Sequence, residues 1–242
     1  MPPGSQPAAL VWMRDRDRGG RPAVTEERIV RTAIAIADAE GIDALSMRRI
    51  ATEMGSGTTS LYRHVTSKDE LIELMVDAVF GEVPRPEAAG DWRARLTASA
   101  RVLRGALLRH PWLVQQMSRR PALGPNVLDQ SDHALGVVAS VTDDATRANL
   151  VVSAVNTYVL GSAATELAEL EAQRGTGMTE EEWQQSVGEY VRQVVESGRY
   201  PHFSWRVLES GEPDDETRFE FGLTCLLNGV ATALAEGAPN DS

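Results

Sequence analysis

Over the first third of the chain, apolar residues recur at helical spacing in short runs set off by capping and turn residues. Thr25 precedes Glu26 and Glu27, an N-cap followed by acids in the first turn, and Ile29, Ala33, Ile36 and Ala37 then share one face until Gly41. This predicts a helix over residues 26–40. Ser46 caps a second, shorter helix with Met47, Ile50, Ala51 and Met54 facing inward and Gly55 at its end. After the turn Gly55-Ser56-Gly57, a third helix carries Thr58 to His64, with Leu61 and Val65 inward. Ser67-Lys68-Asp69-Glu70 is a capping box that opens a fourth helix through Leu71, Leu74, Met75 and Val79, closed by Pro84 and Pro86.

Beyond Asp91 the pattern predicts longer helices, broken at Pro111, at Pro121–Pro125 and at Gly175–Gly177. Thr179-Glu180-Glu181-Glu182 is a second capping box. Residues 199–215 are expected to form a loop around Tyr200, His202, Phe203 and Trp205, followed by a last helix over residues 216–236. Two stretches, Leu150–Ala168 and Phe219–Ala235, are apolar nearly all round and interspersed with Gly161, Gly222 and Gly229. A helix without a polar face needs burial on every side, which pairing with its copy across a two-fold axis supplies, so a homodimer is expected.

Composition narrows the picture. Aromatics are only 5% of the residues and alternating β-branched runs are almost absent, which argues against sandwiches and barrels and for an all-α protein. The single cysteine, Cys225, excludes a disulfide framework and any multi-Cys metal site within one chain. His64, His110, His133 and His202 lack metal-ligand spacing, so no cofactor is expected. Without a signal-peptide core or an unbroken apolar run of spanning length, the expectation is a soluble, cytoplasmic protein with no membrane partner.

The net charge of −11 is unevenly spread. Residues 1–70 carry ten Arg and Lys against ten Asp and Glu, while residues 71–242 carry fourteen against twenty-five and supply the whole excess. A charge-balanced N-terminal module with a Pro/Gly/Arg-rich arm thus precedes an acidic body. Arg14, Arg16, Arg18 and Arg21 cluster in that arm, and Lys68 is the only lysine of the chain.

The two short helices around Gly55-Ser56-Gly57 have helix-turn-helix spacing. The second of them has little to bury besides Leu61, so its other face is free to enter a major groove. An ordinary helical hairpin has the same spacing, and the residues themselves add what the spacing lacks. Ala44-Leu45-Ser46-Met47-Arg48-Arg49-Ile50-Ala51, Gly55, Ser60-Leu61-Tyr62-Arg63-His64-Val65 and Lys68-Asp69-Glu70-Leu71 closely resemble the tetracycline-repressor (TetR) family. More loosely, Ala154–Gly161 and Phe219–Leu223 resemble that family's regulatory domain.

The resemblance implies an N-terminal three-helix DNA-binding domain with a helix-turn-helix, joined to a larger helical-bundle regulatory domain. The organisation expected is an arm at residues 1–24, a DNA-binding domain at 25–70 and a ligand-binding and dimerisation domain at 71–242. The function implied is a repressor that binds a palindromic double-stranded DNA operator as a homodimer and is released by a small-molecule effector. Carried over by position, Arg48 is the base-reading candidate of the bracing helix, Thr58, Thr59, Ser60 and Arg63 face bases or flanking phosphates, and Tyr62, His64 and Lys68 hold phosphates. Arg49 has a bracing role open to it, toward Glu70 or Glu73.

Trp112, Met117, Asn156, Tyr158, Thr165 and Glu166 are the candidate effector contacts, mixing apolar walls with polar groups. The segment Leu113–Ser118 lacks the histidine that tetracycline-binding members use toward a metal–drug chelate, which disfavours that effector. Two other functions compete. A helical enzyme would draw an acid–base site from His110, His133 and Glu166, though no nucleophile motif or phosphate loop accompanies them. A protein-interaction module would use the arm and short helices against an acidic partner.

Overall fold

The computed structural model describes residues 24–86, 90–118 and 122–236. The arm expected over residues 1–24 lies, apart from residue 24, outside them. Among the described residues there are eleven α-helices and no strand, so the chain is all-α. The chain divides into two compact bodies between Val152 and Ser153.

The first body opens with α1 (Glu26–Glu40), whose N-cap Thr25 accepts from Arg28 N. A 3-10 turn, Ile42–Ala44, leads to α2 (Met47–Glu53), capped by Ser46 Oγ accepting from Arg49 N at 3.1 Å. Next come α3 (Thr58–Tyr62) and α4 (Lys68–Glu82). Ile29, Ile36, Ile50, Leu61, Val65, Leu71 and Met75 form the buried core of these four helices. The helix α4 crosses the expected boundary at residues 70 and 71 unbroken, and packs against both α1 and α7. At its start Ser67 Oγ accepts from Glu70 N at 3.0 Å, and the Glu70 carboxylate reaches past the cap to Thr66, whose N–H and hydroxyl both donate to it.

The body continues through α5 (Trp92–Arg109), α6 (Trp112–Met117), α7 (Pro125–Ala139) and the start of α8 (Ala145–Thr176). The N-terminus of α7 is capped from a distance by Asp77, buried on α4. Asp77 Oδ1 accepts from Asn126 N at 2.9 Å and Val127 N at 3.0 Å, and Oδ2 accepts from Asn126 Nδ2 at 2.9 Å. A Cβ on Gly124 would stand 2.2 Å from Asp77 Oδ1, so only glycine fits beneath the carboxylate.

The second body holds the rest of α8, α9 (Glu180–Glu196), α10 (Pro201–Glu209) and α11 (Asp215–Glu236). Thr179 and Glu182 form the capping box expected there. The predicted loop at residues 199–215 is overturned in its first half by α10. Pro201 at the first helical turn needs no N–H partner and fixes a helical φ, while Tyr200 supplies no side-chain cap, so the usual start signal is missing. Tyr158 Oη donates to Phe219 O at 2.8 Å and joins α8 to α11 over Gly222, where a Cβ would meet that hydroxyl at 2.3 Å. An 18-residue window of α8 is long and apolar enough to cross a membrane by length and composition, despite Asn156 and Thr157 within the helix.

Candidate nucleic-acid interface

The helix-turn-helix is built by local chemistry. Gly55, at φ 63°, sits in the left-handed region that glycine enters without a Cβ penalty, and Ser56 N returns to Ala51 O at 2.9 Å. The chain is thereby turned into α3, which ends two residues earlier than predicted, with Arg63 as its C-cap. The amides of His64 and Val65 both close on Leu61 O.

Leu61 and Val65 are fully buried and hold α3 against the core. The remaining side chains of this segment face outward to different degrees. Thr59, Arg63 and Tyr62, half of whose surface is accessible, are exposed, while Thr58, Ser60 and His64 are half-buried. Solvent-facing hydroxyls, a phenol and a guanidinium on one short helix are groups that hydrogen-bond base edges and phosphates.

The neighbouring arginines of α2 diverge. Arg49 donates to Glu40 and to Glu53, each at 2.6 Å, so the bracing role lies between α1 and α2 rather than toward Glu70 or Glu73. Its hydrogen bond with Glu40 raises the Arg49 pKa, and in return the guanidinium holds the Glu40 carboxyl below its ordinary range. Arg48 is exposed and forms no ion pair among the described residues. Lys68 is exposed at the start of α4, with its ammonium donating to Ile42 O at 3.4 Å. Among the described residues that long hydrogen bond is its only one, and it takes one of three donors.

The candidate effector contacts are dispersed. Trp112 is buried and donates its indole N–H to Asp38 Oδ1 at 2.7 Å, and Met117 is half-buried at the end of α6. Both belong to the first body, whereas Asn156, Tyr158, Thr165 and Glu166 lie on α8 in the second. At about 100° per residue, Tyr158 and Thr165 share a face of α8, Asn156 points to the opposite one and Glu166 lies about a quarter turn from Thr165. Tyr158 already donates to Phe219 O, and Thr165 Oγ1 to Gly161 O at 3.0 Å.

Asp38 and Asp77 are the polar residues that sequence reasoning passed over. Asp77 left a signal, an acid inside the apolar run Leu74-Met75-Val76-Asp77-Ala78-Val79. Asp38 left none. Among the described residues no group of three or more His, Cys, Asp or Glu side chains could hold a metal ion.

Residues 29–75 match the family model described as bacterial regulatory proteins, tetR family, and residues 83–234 match the tetracyclin repressor-like C-terminal domain. The chain is 39% identical to the HTH-type transcriptional repressor DrrR1 of Streptomyces coeruleorubidus, over 94% of this chain and 85% of that protein. Apo ActR from Streptomyces coelicolor superposes with a TM-score of 0.73 at 30% identity, covering 90% of this chain and all of that one. ActR solved in complex with actinorhodin gives 0.72 at 31% identity, over 87% and 98%. With the helix-turn-helix built as described and the match continuing through the C-terminal helices, the chain belongs to the TetR family of transcriptional regulators.

Proposed function

We propose that this regulator binds an inverted-repeat operator as a homodimer through α3 and the N-terminal end of α2, and that a small-molecule effector lowers its operator affinity. The observation that carries the DNA-binding reading is the outward face of Thr59, Tyr62 and Arg63 beside an Arg48 that no carboxylate of the described residues holds. A dimer would set two such helices one helical turn apart, or a multiple of it, on one side of the duplex. The dimer reading rests on exposed apolar and small residues of α8 and α11, among them Thr157, Gly161, Phe221 and Gly229. A second copy accounts for the apolar surface of α8 without a membrane. The effector reading rests on the C-terminal family match and on ActR having been solved with actinorhodin.

Selection of bound sequences from random duplex DNA tests the operator reading. An inverted repeat with half-site centres at multiples of about 10 base pairs is expected, and enrichment of unrelated single sites overturns it. Arg48→Ala or Arg63→Ala should relax preference at one base step by about 1–3 kcal/mol for whichever arginine makes a bidentate contact. Competition binding against single-base variants of the operator measures this, and unchanged preference in both variants removes the assignment.

Lys68→Ala should act differently, weakening operator and non-operator DNA about equally. The log–log salt slope should fall by roughly one for each phosphate that the ammonium no longer neutralises. Parallel salt titrations of the two proteins on one operator check it. Identical slopes would mean that Lys68 only closes the start of α4 onto Ile42. For the effector, titration of the operator complex with actinorhodin should release DNA; linkage then requires the operator to weaken ligand binding by the same factor.

A further inference from the structure

The turn between α5 and α6 places a polar cluster between the buried Leu107 and Leu113 of the chain. His110 is 5% exposed, and its Nδ1 stands 2.8 Å from Asp38 Oδ1 on α1. The indole N–H of Trp112 donates to the same oxygen, and the two rings meet edge to face with centroids 6.1 Å apart. A carboxylate oxygen only accepts, so Nδ1 carries the proton, and in the neutral ring Nε2 is left as a lone-pair acceptor. That atom is buried and has no hydrogen-bond partner among the described residues.

The ring is rigid and its two nitrogens diverge, so Nε2 is directed away from Asp38 while Nδ1 is held to it. One turn to either side along the chain, Leu107 and Leu113 are fully buried. Buried polar atoms in native proteins are nearly always partnered, so Nε2 is an acceptor for which the described residues supply no donor. A ligand suited to this atom donates one hydrogen bond to it.

We propose that His110 Nε2 is an anchor atom of the effector site, accepting a hydrogen bond from an O–H or N–H donor on an otherwise apolar small molecule. This rests on the effector reading above and extends it to an atom and a ligand class. The imidazole then has the ligand on one nitrogen and α1 on the other. A ligand that draws on Nε2 alters the Nδ1 bond to Asp38, and with it the hold of α5 and α6 on the first helix of the DNA-binding domain. Tilting that helix changes how α2 and α3 meet DNA, because α1 and α2 are themselves clamped by Arg49 between Glu40 and Glu53.

The test uses the full chain labelled with 15N-histidine, with phenol as the smallest aromatic hydroxyl donor and toluene as its isostere without one. Phenol should move the His110 Nε2 resonance upfield saturably, and toluene should leave it in place. His110→Asn keeps a donor toward Asp38 and has no acceptor at the Nε2 position, and should bind phenol about tenfold more weakly. A silent Nε2 resonance, or equal phenol affinity in a folded His110→Asn, overturns the proposal. Where His110→Asn does not fold, the phenol and toluene comparison on the unaltered chain decides alone. Release from DNA by actinorhodin with no response to phenol keeps the effector reading and removes this anchor. A phenol response with operator affinity unmoved by any ligand keeps the anchor and removes the effector reading.

Discussion

Arginine in place of Gly229 or of Gly161 is expected to convert the proposed dimer into a folded monomer. Both glycines are exposed, and a Cβ built at either meets nothing within 4 Å of its own chain. A larger side chain there meets no neighbour in the single chain, and arginine favours a helix interior over glycine by roughly 0.5–1 kcal/mol. In the proposed dimer the same guanidinium would be buried without a partner, at about 3–5 kcal/mol. That is on the order of a thousandfold in dissociation constant. Sedimentation velocity at micromolar concentration should show the mass halved while far-UV circular dichroism is unchanged, and operator binding should weaken because the two half-sites are then read separately. An unaltered dimer in both variants would remove α8 and α11 as the interface.

Gly222 supplies the contrast. Its Cβ would meet the Tyr158 hydroxyl at 2.3 Å, and that hydroxyl is committed to Phe219 O. Gly222→Ala therefore acts inside one chain by forcing apart α8 and α11. It should lower the melting temperature at every protein concentration, whereas the effect of Gly229→Arg should depend on concentration.

The parts of this molecule that were legible in the sequence are those decided within a few residues. Thr25, Ser46, Ser67 and Thr179 each cap the helix their position implies, because an N-cap oxygen reaches an amide only two or three residues ahead. The exposure of Thr59, Tyr62 and Arg63 was legible for the same reason: a short segment with Leu61 inward leaves little choice for the side chains opposite it. Pairings across long sequence separations carried no such signal. Arg49 finds Glu40 rather than Glu70, His110 and Trp112 find Asp38 more than seventy residues away, and Asp77 finds the start of α7. The polar candidates on α8 were chosen by residue type, and a helix nearly apolar all round gives no phase from which to tell that Asn156 and Tyr158 point apart. At α10 a proline start without a capping side chain hid a helix among aromatic residues.

Among these long-range pairings, that of Asp77 replaces a helix cap. Its carboxylate is buried and satisfies the first free amides of α7 in place of a local cap, since Gly124 at the N-cap has no side chain to do so. Asp77→Ala removes the acceptor and leaves the half-buried Asn126 and Val127 amides without it, at about 2–4 kcal/mol. At roughly 2–4 °C per kcal/mol for a chain of this size, the melting temperature should fall measurably in calorimetry. Asp77→Asn should fall between, because one amide oxygen still accepts while its NH2 confronts that of Asn126. Gly124→Ala should be destabilising too, driving a methyl into the space the carboxylate occupies. The two defects concern one volume. In the double variant Asp77→Ala, Gly124→Ala the clash disappears with the carboxylate, so its cost should be well below the sum of the single costs, by more than about 0.5 kcal/mol. Strict additivity would mean that Asp77 and Gly124 act independently, and that α4 does not hold α7 through this cap.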